Sequence, residues 1–298
     1  GFHDAVLKVF IELYSKGYIY RGKRLVNWCP ETESAISDEE VIYKETNTKL
    51  WYFKYPIIDD EGFLTVATTR PETILGDTAV AINPKDKRFK HLIGKSVKLP
   101  LTDRIIPVIA DDFVDPEFGT GCVKVTPAHD PNDFRLGQHH NLQFINILNP
   151  NGTLNDIVPK TYIGLDRFDA REKVAESMKE LGLFEKSEEY ITSIGFSERG
   201  GVPVEPYMSE QWFMAMKKLS KPALDAVRNG EINFFPSHWI KTYEHWMTNI
   251  QDWCISRQLW WGHRIPVWYC SGEIISGNEK GCKEPIVAEN CPDICPSC

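Results

Sequence analysis

Residues 119–134, GTGCVKVTPAHDPNDF, predict a glycine turn, a short strand and the start of a helix in direct succession. The alternation along the strand places Lys124 and Thr126 on one face. The following turn carries Asp130 and Asp133, which share a face if the proline between them begins a helical turn. Polar groups of both signs are therefore expected at one small, loop-framed position. That arrangement suits a zwitterionic or polar ligand attached to an anionic group.

A second interpretation of the same stretch needs no ligand. Gly-Thr-Gly is a common turn, and an Asp-Pro-Asn-Asp run is a common helix start whose acids cap the N-terminus. The residue pattern by itself leaves both interpretations of residues 119–134 open.

The composition bounds the class of protein. A chain of 298 residues with 42% hydrophobic and 26% charged side chains can bury a sizeable core and predicts about two domains. A net charge of −8 argues against bulk binding to DNA, although it permits a local basic site for nucleic acid. The sequence has neither an apolar run long enough for a membrane span nor a signal-peptide pattern, so we expect no membrane partner and a cytoplasmic location.

The middle of the chain predicts a mixed α/β fold, more specifically of the α+β type. Residues 50–57 and 63–69 alternate and predict a hairpin, and residues 168–181 predict an amphipathic helix. Further short strands are expected at 96–99, 105–109, 122–126 and 190–194, with a brief helix at 131–139. We therefore predict one compact domain of many short strands and a few helices over residues 47–195.

Two segments, residues 1–46 and 196–298, flank this domain. Residues 2–16 predict a helix and residues 18–46 predict loops. Helices are also predicted at 210–218, 222–229 and 236–253, and the last carries an aromatic stripe that we expect to pack in a core. Because the first helix and the last cysteine pair lack neighbouring elements, we expect the chain to be part of a longer protein.

Five of the eight cysteines lie within residues 270–298. Without a secretory signal, such crowding indicates metal ligation more readily than disulfides. The C-x2-C pair at the end of the chain is a half-site for Zn²⁺. The preferred ligands are Cys270, Cys282, Cys295 and Cys298, with Cys291 as the alternative. A set of free thiols is the competing interpretation.

Five stretches, in order along the chain, resemble class I aminoacyl-tRNA synthetases and most of all their valyl group. They are LVNWCPETESAISDEEV (25–41), TTRPETILGDTAVAINP (68–84), GTGCVKVTPAHDPNDF (119–134), ERGGVPVEPYMSEQWF (198–213) and DWCISRQLWWGHRIPVWYC (252–270). The isoleucyl and leucyl enzymes share the architecture, but RPET followed by GDTAVAINP, and the double Trp of SRQLWWGHRIP, look most like the valyl group. The HIGH-like and KMSKS-like motifs of adenylate chemistry do not occur in this sequence.

The resemblance implies that residues 47–195 are an editing domain inserted between pieces of a Rossmann-type catalytic core, residues 1–46 and 196–298. The complete enzyme would use ATP to join valine to tRNA(Val), whereas this part would not activate an amino acid. The implied reaction here is hydrolysis of mischarged threonyl-tRNA(Val), for which no cofactor is needed. The implied partner is the acceptor end of tRNA(Val) carrying threonine.

The resemblance also assigns roles to the residues that form the amino-acid end of the site. Asp130 would hold the α-ammonium group and Asp133 would accept a hydrogen bond from the threonyl hydroxyl. Thr126 would position the ester or the attacking water. His129 is not expected to act as a base, because no Ser or Cys lies where a triad would need it. We therefore expect hydrolysis without a covalent intermediate.

Other residues are assigned to the tRNA end. Arg70 and Lys124 would bind the terminal phosphate and ribose, while Thr73 and Phe118 would line the pocket. A surface ion pair with Glu72 or Asp77 is the alternative for Arg70.

Two other functions stay open at this stage. One is an isoleucyl-type editing domain that removes valine, which the acid at position 133 disfavours. The other is a noncatalytic fragment that only binds the tRNA acceptor end.

Overall fold

The chain divides into two compact units in the computed structural model, which describes residues 1–270, 282 and 284–297. We name Arg24–Ser209 the central unit, and Gly1–Lys23 with Glu210–Cys298 the terminal unit. The predicted editing domain, residues 47–195, falls inside the central unit, and its boundaries stay a prediction.

The described residues form both helices and several sheets, which confirms the mixed α+β fold class. The α-helices are α1 (Phe2–Ser15), α2 (Pro131–His139), α3 (Arg167–Glu180), α4 (Met216–Arg228) and α5 (Trp239–Asn249). The strands are β1 (Ile19–Cys29), β2 (Ser34–Ile36), β3 (Val41–Pro56), β4 (Phe63–Thr68), β5 (Ala79–Ile82), β6 (Ser96–Lys98), β7 (Ile105–Ala110), β8 (Cys122–Val125), β9 (Phe184–Ser197), β10 (Glu205–Met214), β11 (Trp253–Cys254), β12 (Val267–Tyr269) and β13 (Pro285–Val287). Short 3-10 helices cover Asp38–Glu40, Pro71–Gly76 and Lys90–Leu92.

The first sheet of the central unit has three antiparallel strands in the order β4-β3-β9. The predicted hairpin is confirmed, since β3 and β4 pair from Trp51 opposite Thr68 to Pro56 opposite Phe63. Inward-facing Phe53 and Tyr55 of β3 and Leu64 of β4 are fully buried, so the alternating pattern marks the core face correctly.

The second sheet positions residues 119–134. Its order is β6-β7-β5-β8, with β5 parallel to β7 and antiparallel to β8. All four residues of the central strand β5 are buried, as expected for an apolar run covered on both faces. The pairing sets Lys124 opposite Val80, and the chain then turns directly into α2.

Two predicted helices of the central unit are confirmed. α2 covers Pro131–His139 as predicted, and α3 covers Arg167–Glu180, close to the predicted 168–181. Asp166 caps α3 by accepting a 2.8 Å hydrogen bond from the amide of Phe168. Residues 71–76 form a 3-10 helix that packs against α3.

Two predictions of secondary structure in the flanking segments are wrong. Residues 18–46, predicted as loops, contain β1 and β2, because charged side chains on the exposed positions of β1 hide its alternation. The helix predicted at 210–218 is a strand, β10, as far as Met214, and α4 begins only at Met216. Trp212 and Phe213 at the end of this strand point to opposite faces and are both buried, so this end of the strand is covered on both sides.

The terminal unit has its own small apolar core. Phe10 and Tyr14 of α1 contact the Trp212 ring edge-on, with ring centroids 5.7 and 5.9 Å apart. The predicted core packing of the aromatic stripe near α5 is wrong, since Trp239 is 52% and Trp246 71% exposed. No described residue of α5 is fully buried, and although α5 packs against α4, the part of the chain that the structure describes leaves Trp239 and Trp246 largely uncovered. Among the described residues, no helix has both the length and the apolar character that crossing a bilayer requires.

Candidate functional site

The start of α2 holds Asp130 in a capping position. One carboxylate oxygen of Asp130, Oδ1, accepts hydrogen bonds from the amides of Asn132 (2.7 Å) and Asp133 (3.0 Å). Pro131 occupies the first helical turn, so the predicted capped helix start is correct. The exposed helix amides and the helix dipole both stabilise a negative charge here.

Asp133 lies in the first turn of α2 and is almost completely buried, with 7% of its surface exposed. Its Oδ2 accepts a 2.8 Å hydrogen bond from the backbone amide of Thr126, at the end of β8. Within the described residues, no group donates to its other oxygen, Oδ1. Burial raises the pKa of Asp133 to about 7, and the negative charge of Asp130 adds to this while Lys124 opposes it. The site therefore holds a buried carboxyl with one acceptor oxygen unused by the described chain.

Lys124 and Thr126 do share one side of the strand, but they are directed at a carboxylate that the sequence did not single out. Lys124 is only 8% exposed, and its ammonium lies 3.0 Å from Oδ1 of the fully buried Asp77. The Thr126 hydroxyl accepts from the Lys124 ammonium and donates to the same carboxylate. Tyr55 donates a 2.7 Å hydrogen bond to the other oxygen of Asp77. Burial raises the pKa of Asp77, and Lys124 and the two hydroxyls oppose that rise.

Arg70 is held by two glutamates and one carbonyl. Its Nε lies 3.3 Å from Glu72, and one terminal nitrogen forms an ion pair with Glu205. The other terminal nitrogen donates a 2.9 Å hydrogen bond to the carbonyl of His129. Arg70 therefore does pair with Glu72, one of the two partners that the alternative named. Because Glu72 is completely buried, this is not the surface ion pair that the alternative predicted.

Two more arginines complete this charged network. Arg171 of α3 binds Glu72 with two parallel hydrogen bonds, both 2.9 Å, in the bidentate geometry that favours carboxylates. Arg167 forms an ion pair with Glu205 at 2.9 Å. The positive charge of Arg171, followed by that of Arg70, outweighs burial and lowers the pKa of Glu72. For Glu205 burial is the larger influence and raises the pKa.

Thr73 and Phe118, the two predicted pocket residues, have contrasting surroundings. Thr73 is buried in the 3-10 helix and donates a 2.9 Å hydrogen bond to the carbonyl of Arg70. Phe118 is 64% exposed at the edge of the glycine turn. Gly121 in that turn has a φ of +77°, and a Cβ atom there would lie 2.5 Å from the Arg88 guanidinium. The turn that carries Phe118 therefore depends on glycine.

His129 is buried and uncharged. Burial lowers the pKa of its imidazole well below the usual value, and the positive charges of Arg70 and Lys124 lower it further. Its Nε2 accepts a 2.9 Å hydrogen bond from the amide of Ile147, which assigns the ring proton to Nδ1. The nitrogen that a base would use is thus occupied by the backbone.

A cleft of about 680 Å³ lies elsewhere in the central unit. Its lining is largely apolar and includes Leu75, Ile145, Val158 and Leu183. None of the predicted site residues lines this cleft. The polar constellation around α2 is therefore the better candidate for chemistry on a charged ester.

The cysteine group lies in the terminal unit. The sulfur atoms of Cys270, Cys282 and Cys295 all lie within 4.8 Å of one another, and those of Cys282 and Cys295 are 3.7 Å apart. Tetrahedral Zn²⁺ with Zn–S bonds of about 2.3 Å separates its sulfur ligands by about 3.8 Å, so three of the four predicted ligands fit such an ion. Cys298 lies outside the described residues. Cys291 is exposed and does not belong to the group among the described residues.

Sequence comparisons define the class of protein. Residues 1–290 match a family model described as tRNA synthetases class I (I, L, M and V), and the chain belongs to this family.

Within the family, the similarity is to valine–tRNA ligases. The chain is 54% identical to that of Thermotoga maritima over 270 residues, covering 91% of this chain and 31% of the relative. It is 52% identical to that of Clostridium tetani over 294 residues (99% of this chain, 32% of the relative). It is 56% identical to that of Legionella pneumophila over 269 residues (90% and 29%). The resemblance found in the sequence is thus confirmed, and the chain spans about a third of the length of these curated relatives.

The sequence assigned no site role to Asp77, which it named only as a possible ion-pair partner of Arg70. It missed the residues that join the site through contacts, namely Tyr55, Arg167, Arg171 and Glu205. Asp77 stands in the stretch GDTAVAINP, which had carried the family resemblance but no chemical role. Arg171 and Glu205 join the site only through contacts with Glu72 and Arg70, residues far away in the sequence. No local spacing signals such partners.

Proposed function

We propose that the complete protein joins valine to tRNA(Val) with ATP, and that this part of it hydrolyses mischarged threonyl-tRNA(Val). The ligase activity is the activity named for the relatives, which are similar to this chain over 90–99% of its length. The editing reaction rests on the acids of α2 and on the family resemblance of the residues around them.

The observation that carries the editing proposal is the environment of Asp133. Threonine differs from valine by a hydroxyl in place of a methyl group, and an apolar pocket discriminates poorly between them, for which valyl enzymes are a well-known case. A buried carboxyl with a free acceptor oxygen instead favours threonine over valine. Threonine satisfies that oxygen, whereas valine would bury it against a methyl group and leave it unpaired.

Asp130 supplies the second contact. Its Oδ1 is used by the helix amides, and Oδ2 has no hydrogen-bond partner among the described residues. This oxygen is available to the α-ammonium group that every aminoacyl ester carries. Because that group is common to threonine and valine, Asp130 contributes affinity and orientation, and Asp133 contributes selectivity.

The reaction itself needs an oriented water. The water oxygen bonds to the ester carbonyl carbon, the bond between that carbon and the ribose oxygen breaks, and the ribose oxygen takes the proton that the water releases. The products are threonine and tRNA with a free terminal hydroxyl. An aminoacyl ester is already activated, so positioning alone accelerates its hydrolysis. His129 takes no part, because its Nε2 is bound to the backbone.

Arg70 is the proposed contact to the tRNA end, with Phe118 and Thr73 at the pocket wall, whereas Lys124, also predicted at the tRNA end, is proposed to act differently. Arg70 keeps 26% of its side chain exposed while its guanidinium is fixed by Glu72 and Glu205. Lys124 is buried against Asp77, so it acts mainly by holding the Thr126 hydroxyl in place. A site whose cations are fixed before the ligand arrives loses less entropy on binding.

At the cysteine group we propose a structural Zn²⁺ held by Cys270, Cys282 and Cys295, with Cys298 as the predicted fourth ligand. When bound there, the ion would link segments of the terminal unit and take no part in editing.

Deacylation of threonyl-tRNA(Val) by the purified chain tests the editing proposal. We expect release of threonine well above the uncatalysed rate, and loss of most of that rate in Asp130→Asn. Asparagine still caps the helix, so this variant removes the charge and keeps the fold. The matched control is Asp166→Asn, the same change at the cap of α3, which should keep the wild-type rate.

Each other outcome decides against the proposal. A wild-type rate equal to the uncatalysed rate, with the acceptor end still bound, would indicate the noncatalytic alternative. Faster release of valine from valyl-tRNA(Ile) than of threonine would indicate the isoleucyl-type alternative.

A further inference from the structure

We propose that Asp111, His139 and His140 form a second metal site, in the central unit, which takes a divalent transition-metal ion such as Zn²⁺. This site is independent of the editing reaction and of the cysteine group, which lies in the terminal unit.

The three side chains converge on one point. Oδ2 of Asp111 lies 2.8 Å from Nε2 of His140 and 3.2 Å from Nδ1 of His139, and all three ligand atoms lie within 4.8 Å of one another. In a tetrahedral site with bonds of about 2.0–2.1 Å, neighbouring ligand atoms are about 3.3 Å apart. The two distances to the carboxylate oxygen are within about half an ångström of that spacing, and the two imidazole nitrogens, at most 4.8 Å apart, would approach one another by up to about 1.5 Å on binding one ion.

The carboxylate is fixed in advance. Its other oxygen, Oδ1, accepts a 2.9 Å hydrogen bond from the amide of Phe113, and the backbone amide of Asp111 donates to the carbonyl of Ile82 at the end of β5. Asp111 is only 13% exposed at its side chain. Such outer hydrogen bonds orient a metal-binding carboxylate and raise its affinity for the ion.

Both histidines lie at the C-terminal end of α2, a position that favours binding of a cation. His139 is the last residue of α2, and His140 is its C-cap, where the helix dipole favours a positive charge. Two imidazoles directed at one carboxylate oxygen give a donor set of two nitrogens and one oxygen. That set suits Zn²⁺, Ni²⁺ or Cu²⁺ rather than Mg²⁺ or Ca²⁺, which prefer oxygen ligands.

The site is partly open to solvent on the side of His139, which leaves room for a fourth ligand. The His140 side chain is 22% exposed, whereas that of His139 is 75% exposed. The ion would therefore be reachable from solvent and would complete its coordination with water. An ion bound only by the folded protein also stabilises it, and here it would fasten the end of α2 to the turn after β7.

Zinc titration of the chain, followed through the imidazole signals in NMR spectra, tests the proposal. We expect the signals of His139 and His140 to shift together in one transition as Zn²⁺ is added. His91, an exposed histidine elsewhere in the central unit, is the internal control and should not shift with them. The described members of the cysteine group include no histidine, so zinc uptake there is read separately from the imidazole signals.

Two variants make the test decisive. His139→Ala and Asp111→Asn should each weaken zinc binding at the histidines by at least about tenfold. Asparagine at position 111 can still accept from the Phe113 amide, so Asp111→Asn retains the local turn if His139→Ala disturbs it. Imidazole signals that stay in place in excess Zn²⁺, or an affinity unchanged in both variants, would overturn the proposal and leave Asp111 as a partner of two histidines only.

Discussion

The backbone amide of Thr126 donates a 2.8 Å hydrogen bond to Oδ2 of Asp133, and this bond joins the end of β8 to the first turn of α2. Both residues are buried, so the contact fixes which of the two Asp133 oxygens remains available to a ligand. The proposed selectivity depends on Oδ2 being bound to the backbone while Oδ1 is available to the threonyl hydroxyl.

The first prediction concerns the stability that this contact provides. Asp133→Ala leaves the buried Thr126 amide without an acceptor, whereas Asp133→Asn retains one. The alanine variant should therefore be less stable than the asparagine variant by about 1–3 kcal/mol. Urea unfolding of the two neutral variants measures this difference, and equal stabilities would show that the bond contributes nothing.

The second prediction concerns pH. The pKa of Asp133 is raised from 3.8 to about 7, so the folded state holds this proton more tightly than the unfolded state does. The stabilisation is complete below the unfolded pKa and is lost as the pH rises through about 7. Wild-type stability relative to Asp133→Asn should thus fall between about pH 4 and pH 7, by on the order of a few kcal/mol.

Unfolding curves for both proteins at several pH values test that prediction. A difference in unfolding free energy that stays constant over the range would contradict it. Editing should follow the opposite trend, because the ionised carboxylate is the stronger acceptor for the threonyl hydroxyl. Its rate, corrected for uncatalysed hydrolysis, should therefore rise through about pH 7.

The third prediction concerns the buried arginine network. Glu72→Gln removes a completely buried charge that binds Arg171 through two hydrogen bonds and also contacts Arg70. Leaving Arg171 without its carboxylate, and Arg70 with Glu205 alone, should destabilise the fold by about 3–5 kcal/mol. The control Asp112→Asn breaks the exposed pair with Lys85 and should cost less than about 1 kcal/mol. Equal effects of the two changes in urea unfolding would contradict the network's importance.

The fourth prediction concerns zinc in the terminal unit. Metal analysis of freshly purified protein should find at least about one zinc per chain. Cys295→Ser should reduce that content, whereas Cys291→Ser, a matched change at an exposed cysteine outside the group, should not. A smaller zinc content in the wild type, or equal losses in the two variants, would contradict the assignment.

The sequence predicted those parts of the fold whose signals are local. The Asp-Pro start of α2 and the alternation of β3 and β4 gave the observed helix and hairpin, because capping and alternation act over a few residues. β10 was mistaken for a helix because its apolar residues at 212–214 do not alternate. The exposed face of α5 was mistaken for core because an aromatic stripe does not reveal whether another element covers it.

For the candidate site, the sequence predicted its members better than their partners. Lys124 and Thr126 do lie together, but the carboxylate that orients both is Asp77, 47 positions before Lys124. Glu205 lies 135 positions after Arg70. Such pairings are set by how the strands and the 3-10 helix pack, and a single sequence carries no spacing rule for them.

The most direct test of the central claim compares two substrates that differ only in the hydroxyl. The rates of deacylation of threonyl-tRNA(Val) and valyl-tRNA(Val) should be measured for the wild type and for Asp133→Asn. We predict that the wild type hydrolyses the threonyl ester much faster, and that Asp133→Asn loses about tenfold to a hundredfold of that preference. Equal wild-type rates for the two esters, or a preference that survives in Asp133→Asn, would contradict the account.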